Sequence, residues 1–268
     1  MNHLETIASK VNILSKFLAV RDVASLDKGE LKKKYGIEQA DLLILFGASI
    51  VHGCDFAAKV YKDGIAKEMM IVGGEGHTTD TLRGAIHRKC PEFETAGKAE
   101  SDIIAYYLGK KYGLNNFIIE RESTNCGNNV SNALKVIEEK GMNPKYIVIL
   151  QDSSMQLRMD AGFRKLWGHR DVEIINYASY YVRVVIKDGA LAFEDNDIES
   201  LWDIDHFITL QMGEIPRLSD NGSGYGPKGK DFIAHVDIPA DVQEAFDYLT
   251  AYSDRTVRKA NDKWRSGA

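Results

Sequence analysis

The sequence predicts an α/β fold: a Rossmann-like doubly wound parallel sheet with a smaller, mostly helical C-terminal extension. Two observations carry this prediction. Short continuous apolar runs recur along the chain, each followed by glycine or small polar residues, the form of strands buried on both faces. Stretches long enough for helical crossovers separate them, and that alternation implies parallel strands. Composition agrees, since 268 residues with 44% hydrophobic and 27% charged side chains match ordinary globular usage and suffice for a sizeable core.

Leu4, Ile7, Val11, Leu14 and Leu18 recur at helical spacing and predict an amphipathic first helix. Packing on the protein is preferred to a membrane-surface role, because Glu5 shares the polar face and no aromatic belt is present. Leu42-Leu43-Ile44-Leu45-Phe46, ending at Gly47, is the first strand. Others are expected at 69–72 before Gly73-Gly74, at 117–119 before Glu122 and at 146–150 before Gln151-Asp152, with a fifth at 172–175. Crossover helices fall at 56–65, 99–112, 128–140 and 155–167. Beyond about residue 180 the rhythm breaks into a helical stretch at 197–212, a glycine-rich segment at 213–230 and a last helix from Pro239. The predicted organisation is a helical segment (1–40), a Rossmann-like core (41–180) and an extension (181–268) packed on that core.

Net charge is −5 and the pI near 5.8, so no basic field exists to gather nucleic acid or an anionic membrane. A small-molecule ligand is the expected partner. The basic stretches 32–34 and 255–263 read as solvated surface. Cys54, Cys90 and Cys126 are widely spaced without a Cys-x-x-Cys pair, which points to a reducing compartment. Lys10 and Lys16 interrupt the first apolar positions, so neither a signal peptide nor an integral membrane segment is expected, and a cytoplasmic location follows.

In a doubly wound sheet, ligands bind outside the carboxyl ends of the strands, where this sequence concentrates glycines and small polar residues. Gly73-Gly74-Glu75-Gly76-His77-Thr78-Thr79 follows a strand and opens a helix, so its amides could hold a phosphate or carboxylate; a tight turn is the structural alternative. Neither the dinucleotide fingerprint nor a Walker A loop is complete. Gly47-Ala48-Ser49 permits close approach to the backbone, and Ser49 is a binding residue rather than a nucleophile because Val51 breaks the G-x-S-x-G pattern. Glu122-Ser123-Thr124-Asn125-Cys126-Gly127-Asn128-Asn129 is dense in donors and acceptors; a cap at Ser123 or Thr124 would leave Glu122, Asn125 and Asn129 for a ligand. Arg158, shortly after Asp152 and Gln156, could grip a carboxylate or phosphate with two parallel bonds. The segment with Arg217 and Tyr225 is expected as a long covering loop. His52, His77 and Glu75 lack metal-ligand spacing, and no metal is assigned.

These loops resemble the YdcF-like branch of the SanA and ElyC superfamily of domains of unknown function, over most of the chain. The marks are Gly73-Gly74-x-Gly76-His77, the helix opened by Glu100, Ser123-Thr124-Asn125-Cys126-Gly127, Gln151-Asp152-x-x-Met155-Gln156-x-Arg158, and Gly213-Glu214-x-Pro216-Arg217-Leu218 through Tyr225-Gly226-Pro227. The resemblance implies a Rossmann-like domain with a smaller C-terminal part and, from the YdcF branch itself, binding of S-adenosylmethionine without a settled reaction. More distant members span membranes, serve the cell envelope and place His where this chain has Gln156, so the likeness does not extend to an envelope role.

Two functional classes follow. The preferred one is a binding or regulatory protein that recognises S-adenosylmethionine or a related nucleoside. Its expected ligand residues are Gly47, Ser49, Gly73, Gly74, Gly76, His77, Ser123, Thr124, Asn125, Asn129, Asp152, Gln156, Arg158, Arg217 and Tyr225. The alternative is an enzyme, a transferase using that cofactor or a hydrolase of a phosphorylated small molecule, with Glu75, Glu100, Glu122 or Asp152 as general acid or base.

Overall fold

A computed structural model describes residues 2–76, 78–194 and 197–253. Among them, β1 (Ala40–Phe46), β2 (Ala66–Val72), β3 (Ile118–Glu120), β4 (Tyr146–Gln151) and β5 (Glu173–Ala178) form an all-parallel sheet in the order β3-β2-β1-β4-β5. The fold is therefore α/β and Rossmann-like. The chain steps outward from β1 to β3, then returns across the sheet to β4, so the topological switch lies between β1 and β4.

Alternation along the strands sorts the core into two faces. Leu43 and Leu45 of β1, with Met69 and Ile71 of β2, pack beneath α3 (His52–Lys62), α4 (Thr79–Lys89) and α5 (Glu100–Tyr112). Leu42, Ile44 and Phe46, with Met70 and Val72, face α6 (Cys126–Glu139) and α7 (Gln156–Trp167). Helices thus cover both faces, which explains why the strands read as unbroken apolar runs.

A third apolar cluster joins α1 (His3–Leu18), α8 (Ile204–Leu218) and α9 (Ala240–Tyr252). The stripe of α1, Ile7, Val11, Leu14 and Leu18, is buried against α8, α9 and the strand β6 (Val184–Lys187). Each such side chain contributes roughly 1.5–3 kcal/mol, whereas the Glu244 partner of Lys10 is solvated and its ion pair adds little, so apolar burial docks this helix. No described helix is long and apolar enough to cross a membrane.

Several boundaries differ from the sequence reading. The helix after β1 starts at His52 rather than 56, and β5 runs to Ala178 rather than 175. The helix α2 (Lys28–Tyr35) went unread, although Asp27 caps it, accepting from the Glu30 amide at 2.9 Å, and Gly36 ends it in the left-handed region at φ 72°. Also unread was the hairpin of β6 and β7 (Ala190–Phe193), whose Asp188-Gly189 turn has φ 51° and 77°, a strong hairpin signal. The largest correction concerns α8. Asp203 starts it by accepting from the His206 amide, and it continues through Pro216 to Leu218, so Gly213 to Arg217 are helical rather than loop. The basic stretch 255–263 lies outside the described residues.

Candidate functional site

The loops after β1 and β4 meet at the switch point. Leu45 pairs with Leu150, the last pair of the β1–β4 register, and beyond it the Gln151 side-chain amide donates to Gly47 O at 3.5 Å. Two buried carboxyl groups, Glu100 and Asp152, lie beside these loops.

Glu100, the first residue of α5, lies over the ends of β1 and β2. A Cβ at Gly47 would stand 2.0 Å from its Oε2, and one at Gly73 would stand 3.2 Å away, so these glycines make room for a protein carboxylate. Its Oε1 accepts from Thr79 Oγ1 at 2.7 Å, and the Glu100 and Ser101 amides donate to Gly74 O and Gly73 O at 2.8 Å each. Burial pushes the Glu100 carboxyl up, against the Thr79 hydrogen bond and the Arg83 charge. The folded state therefore holds this proton more tightly than the unfolded chain. Its stabilising contribution is full below the ordinary glutamate range and declines as pH rises through the elevated pKa. In unfolding titrations, parent and Glu100→Gln should diverge with pH by up to about 1.4 kcal/mol per pH unit across that window, the parent losing stability relative to the variant. A pH-independent difference would contradict the buried proton.

Asp152 follows β4. Its Oδ1 accepts from the Ser154 amide and hydroxyl at 3.0 Å each and from Tyr180 OH at 2.8 Å. Burial raises its pKa, opposed by these donors and reinforced by the nearby Glu214 charge. Tyr180 is pushed well above its ordinary value, first by burial and then by Asp152. The Tyr180 ring meets His52 edge-on, with centroids 6.5 Å apart. Burial lowers the His52 pKa, Asp55 opposing and Arg21 adding to the shift, so His52 is neutral at pH 7. His52, Ser153 and Tyr180 extend the site beyond the residues expected from sequence. The signal for Tyr180 was the same polar step after a strand, hidden because β5 was ended too early.

The glycine loop is built differently from expectation. Gly73 N–H donates to Glu120 O, Gly74 and Glu75 N–H to Ser123 O, and Gly76 N–H to Thr79 Oγ1 at 2.7 Å, so these amides are engaged by the protein rather than offered to an anion. A Cβ at Gly74 would stand 2.4 Å from both Arg121 O and Ser123 O; the close backbone neighbour is the β3 loop. His77 lies outside the described residues. Ser49 is buried and donates from Oγ to Thr78 O at 3.2 Å.

In the β3 loop Asn125 is the cap, its side chain accepting from the Asn128 amide at 3.0 Å. Thr124 donates to Asn128 Oδ1, while Ser123 donates to the buried Glu120 carboxylate at 2.7 Å. Asn129 bonds through its backbone to Asn125 O. Glu75 and Glu122 are exposed, and Glu75 pairs with Arg83 at 3.4 Å; of the four acid–base candidates only Glu100 and Asp152 are buried.

Gln156 is fully buried as a structural brace: its Oε1 accepts from Gln151 N, and its Nε2 donates to Ile149 O and Asn176 Oδ1. Arg158 makes its two parallel bonds with Glu214 of α8, at 2.6 and 3.1 Å, instead of reaching toward a ligand. Arg217 stands 3.5 Å from the same carboxylate and donates to Gly213 O. Tyr225 lies within electrostatic reach of Arg158 and beneath Lys230, in a segment whose amides bond to its own carbonyls: Tyr225 N to Arg217 O, and Phe232 N to Tyr225 O. That segment is a self-bonded wall rather than a free cover. Among the described residues no cluster of three or more His, Cys, Asp or Glu is arranged to hold a metal. No family model matches the chain.

Proposed function

We propose that this chain is a YdcF-like binding protein that takes a small nucleoside-bearing ligand, S-adenosylmethionine foremost, in the crevice between the loops after β1 and β4. The observation that carries this reading is the convergence of buried polar groups at the switch point: Ser49, Glu100, Asp152, Ser153 and Tyr180, where an open α/β sheet binds ligands. Their chemistry suits such a ligand, since carboxyl groups and hydroxyls accept from ribose hydroxyls or an ammonium and donate in turn. Free, buried Cys54 and Cys90 agree with a reducing, cytoplasmic setting.

Titration calorimetry with S-adenosylmethionine and adenosine tests the proposal. Saturable binding, weakened by Asp152→Ala in a variant that still melts cooperatively, is the expected result. Absence of binding by both ligands overturns it.

A second reading, a transferase or a hydrolase of a phosphorylated small molecule, is favoured by the raised pKa values of Glu100 and Asp152, since buried carboxyls of this kind serve as general acids. Incubation with S-adenosylmethionine and a metabolite pool separates the two readings, because only the enzyme yields a transferred or dephosphorylated product.

A further inference from the structure

The glycine-rich segment that follows α8 is closed on itself at Asp220. Oδ1 of this residue accepts from the Lys228 amide at 2.7 Å, and its Oδ2 lies 2.7 Å from Nδ1 of His235, at the far end of the segment. A Cβ at Gly226 would stand 2.8 Å from the same Oδ1, so the chain folds tightly over this carboxylate. At its exit the segment docks on α7: Ala234 N–H donates to Ala161 O at 3.0 Å, and Arg164 donates to His235 O at 3.1 Å. Between these anchors lies the wall that carries Tyr225, whose carbonyl accepts from the Phe232 and Ile233 amides.

His235 is held on both sides. Its Nε2 lies 2.9 Å from Asp237 Oδ1, so each ring nitrogen meets a carboxylate oxygen. A carboxylate only accepts and a neutral imidazole has a single N–H, so both contacts are hydrogen bonds only when the ring is an imidazolium. Asp237 and Asp220 favour that form and raise the His235 pKa. The Lys228 amide foremost, and His235 with it, hold the Asp220 carboxyl below its ordinary range against burial. The other charges packed nearby are matched: Arg164 with Asp160, and Lys165 with Asp231, while Lys228 bears on Asp220. After loss of one proton the ring can donate once. Asp237 is 98% exposed and Asp220 10%, so water replaces the ring at Asp237, and the Asp220 contact survives without the imidazolium charge.

We propose that His235 is a pH-sensitive latch on the segment 219–235: the doubly protonated ring clamps the two ends of the segment together, and loss of one proton loosens the wall beside Arg158 and Tyr225. Because the folded state holds this proton more tightly than the unfolded chain, the latch contributes fully below the ordinary histidine range and is lost as pH rises through the elevated pKa. It stands without the ligand reading, since the clamp is complete in the chain alone.

NMR of the ligand-free full chain, following the His235 ring carbons through titration, should give a midpoint above the ordinary histidine value of about 6.5, and Asp220→Asn should lower it. A midpoint at or below that value, or one unmoved by Asp220→Asn, overturns the latch. Hydrogen exchange, corrected for the intrinsic pH dependence of amide exchange, reads the consequence. Protection of the Tyr225, Phe232 and Ile233 amides should fall about twofold to fivefold as pH rises through the midpoint, with β1 and β4 unchanged. His235→Gln can bond but cannot titrate, so its protection should stay flat over the same range. The same fall in His235→Gln, or no fall in the parent, overturns the latch. If His235→Gln does not fold, the titration and Asp220→Asn decide.

Discussion

Glu214→Ala is expected to destabilise the protein by about 3–5 kcal/mol, because it strips the shared carboxylate from two largely buried guanidinium groups. Glu214 is 3% exposed at its side chain, Arg158 14% and Arg217 11%, so water cannot replace what is lost. A drop in Tm of roughly 6–20 °C follows for a chain of this size. Arg158→Leu should cost less, since Glu214 keeps Arg217. Chemical denaturation of both variants checks the ordering. Losses below about 1 kcal/mol for Glu214→Ala, the range of exposed pairs, would contradict a buried cluster tying α7 to α8.

Gly74→Val is expected to damage the fold rather than the ligand site. The new Cβ would lie 2.4 Å from two backbone carbonyl oxygens of the β3 loop, which cannot rotate away as a side-chain tip does. A loss of about 1–3 kcal/mol or more is expected from such overpacking. Gly76→Ala, with a Cβ 3.4 Å from Thr124 O, should be nearly neutral. Urea unfolding and a ligand titration on the folded fraction separate the two effects. Full stability with selective loss of affinity in Gly74→Val would restore this glycine to the ligand contacts.

The sheet was legible because strands buried on both faces must be apolar at every position, and Leu42 to Phe46 is. The site was only half legible. Sequence pointed to the carboxyl edge of the sheet and to Asp152, Glu100 and Ser49, which the structure buries there. It did not show which polar groups satisfy one another. Arg158 and Glu214 are 56 residues apart, and nothing local reveals that the guanidinium already has a carboxylate. In the same way, the Gly73-Gly74 loop has the composition of an anion cradle, but its amides are claimed by carbonyls near Ser123. The turn after β1 contains Ile50 and Val51 and carries no such composition, although the amides of 48–52 meet no acceptor among the described residues. Donor availability is a property of tertiary pairing, and residue type conceals it.

These features divide the carboxyl edge of the sheet into two parts with different tasks. On the β2–β3 side, Gly74, Ser123 and Glu120 bind loop to loop. On the β1–β4 side, Asp152 bonds to Tyr180, whose ring meets His52 at a helix start with amides that find no acceptor among the described residues. Hydrogen–deuterium exchange of the full chain with and without saturating S-adenosylmethionine tests this division directly. Ligand-dependent protection at 47–53 and 151–155, with the Gly73–Gly76 amides unchanged, is the predicted result. Protection confined to the glycine loop, or no change at either loop, would contradict a binding crevice between β1 and β4.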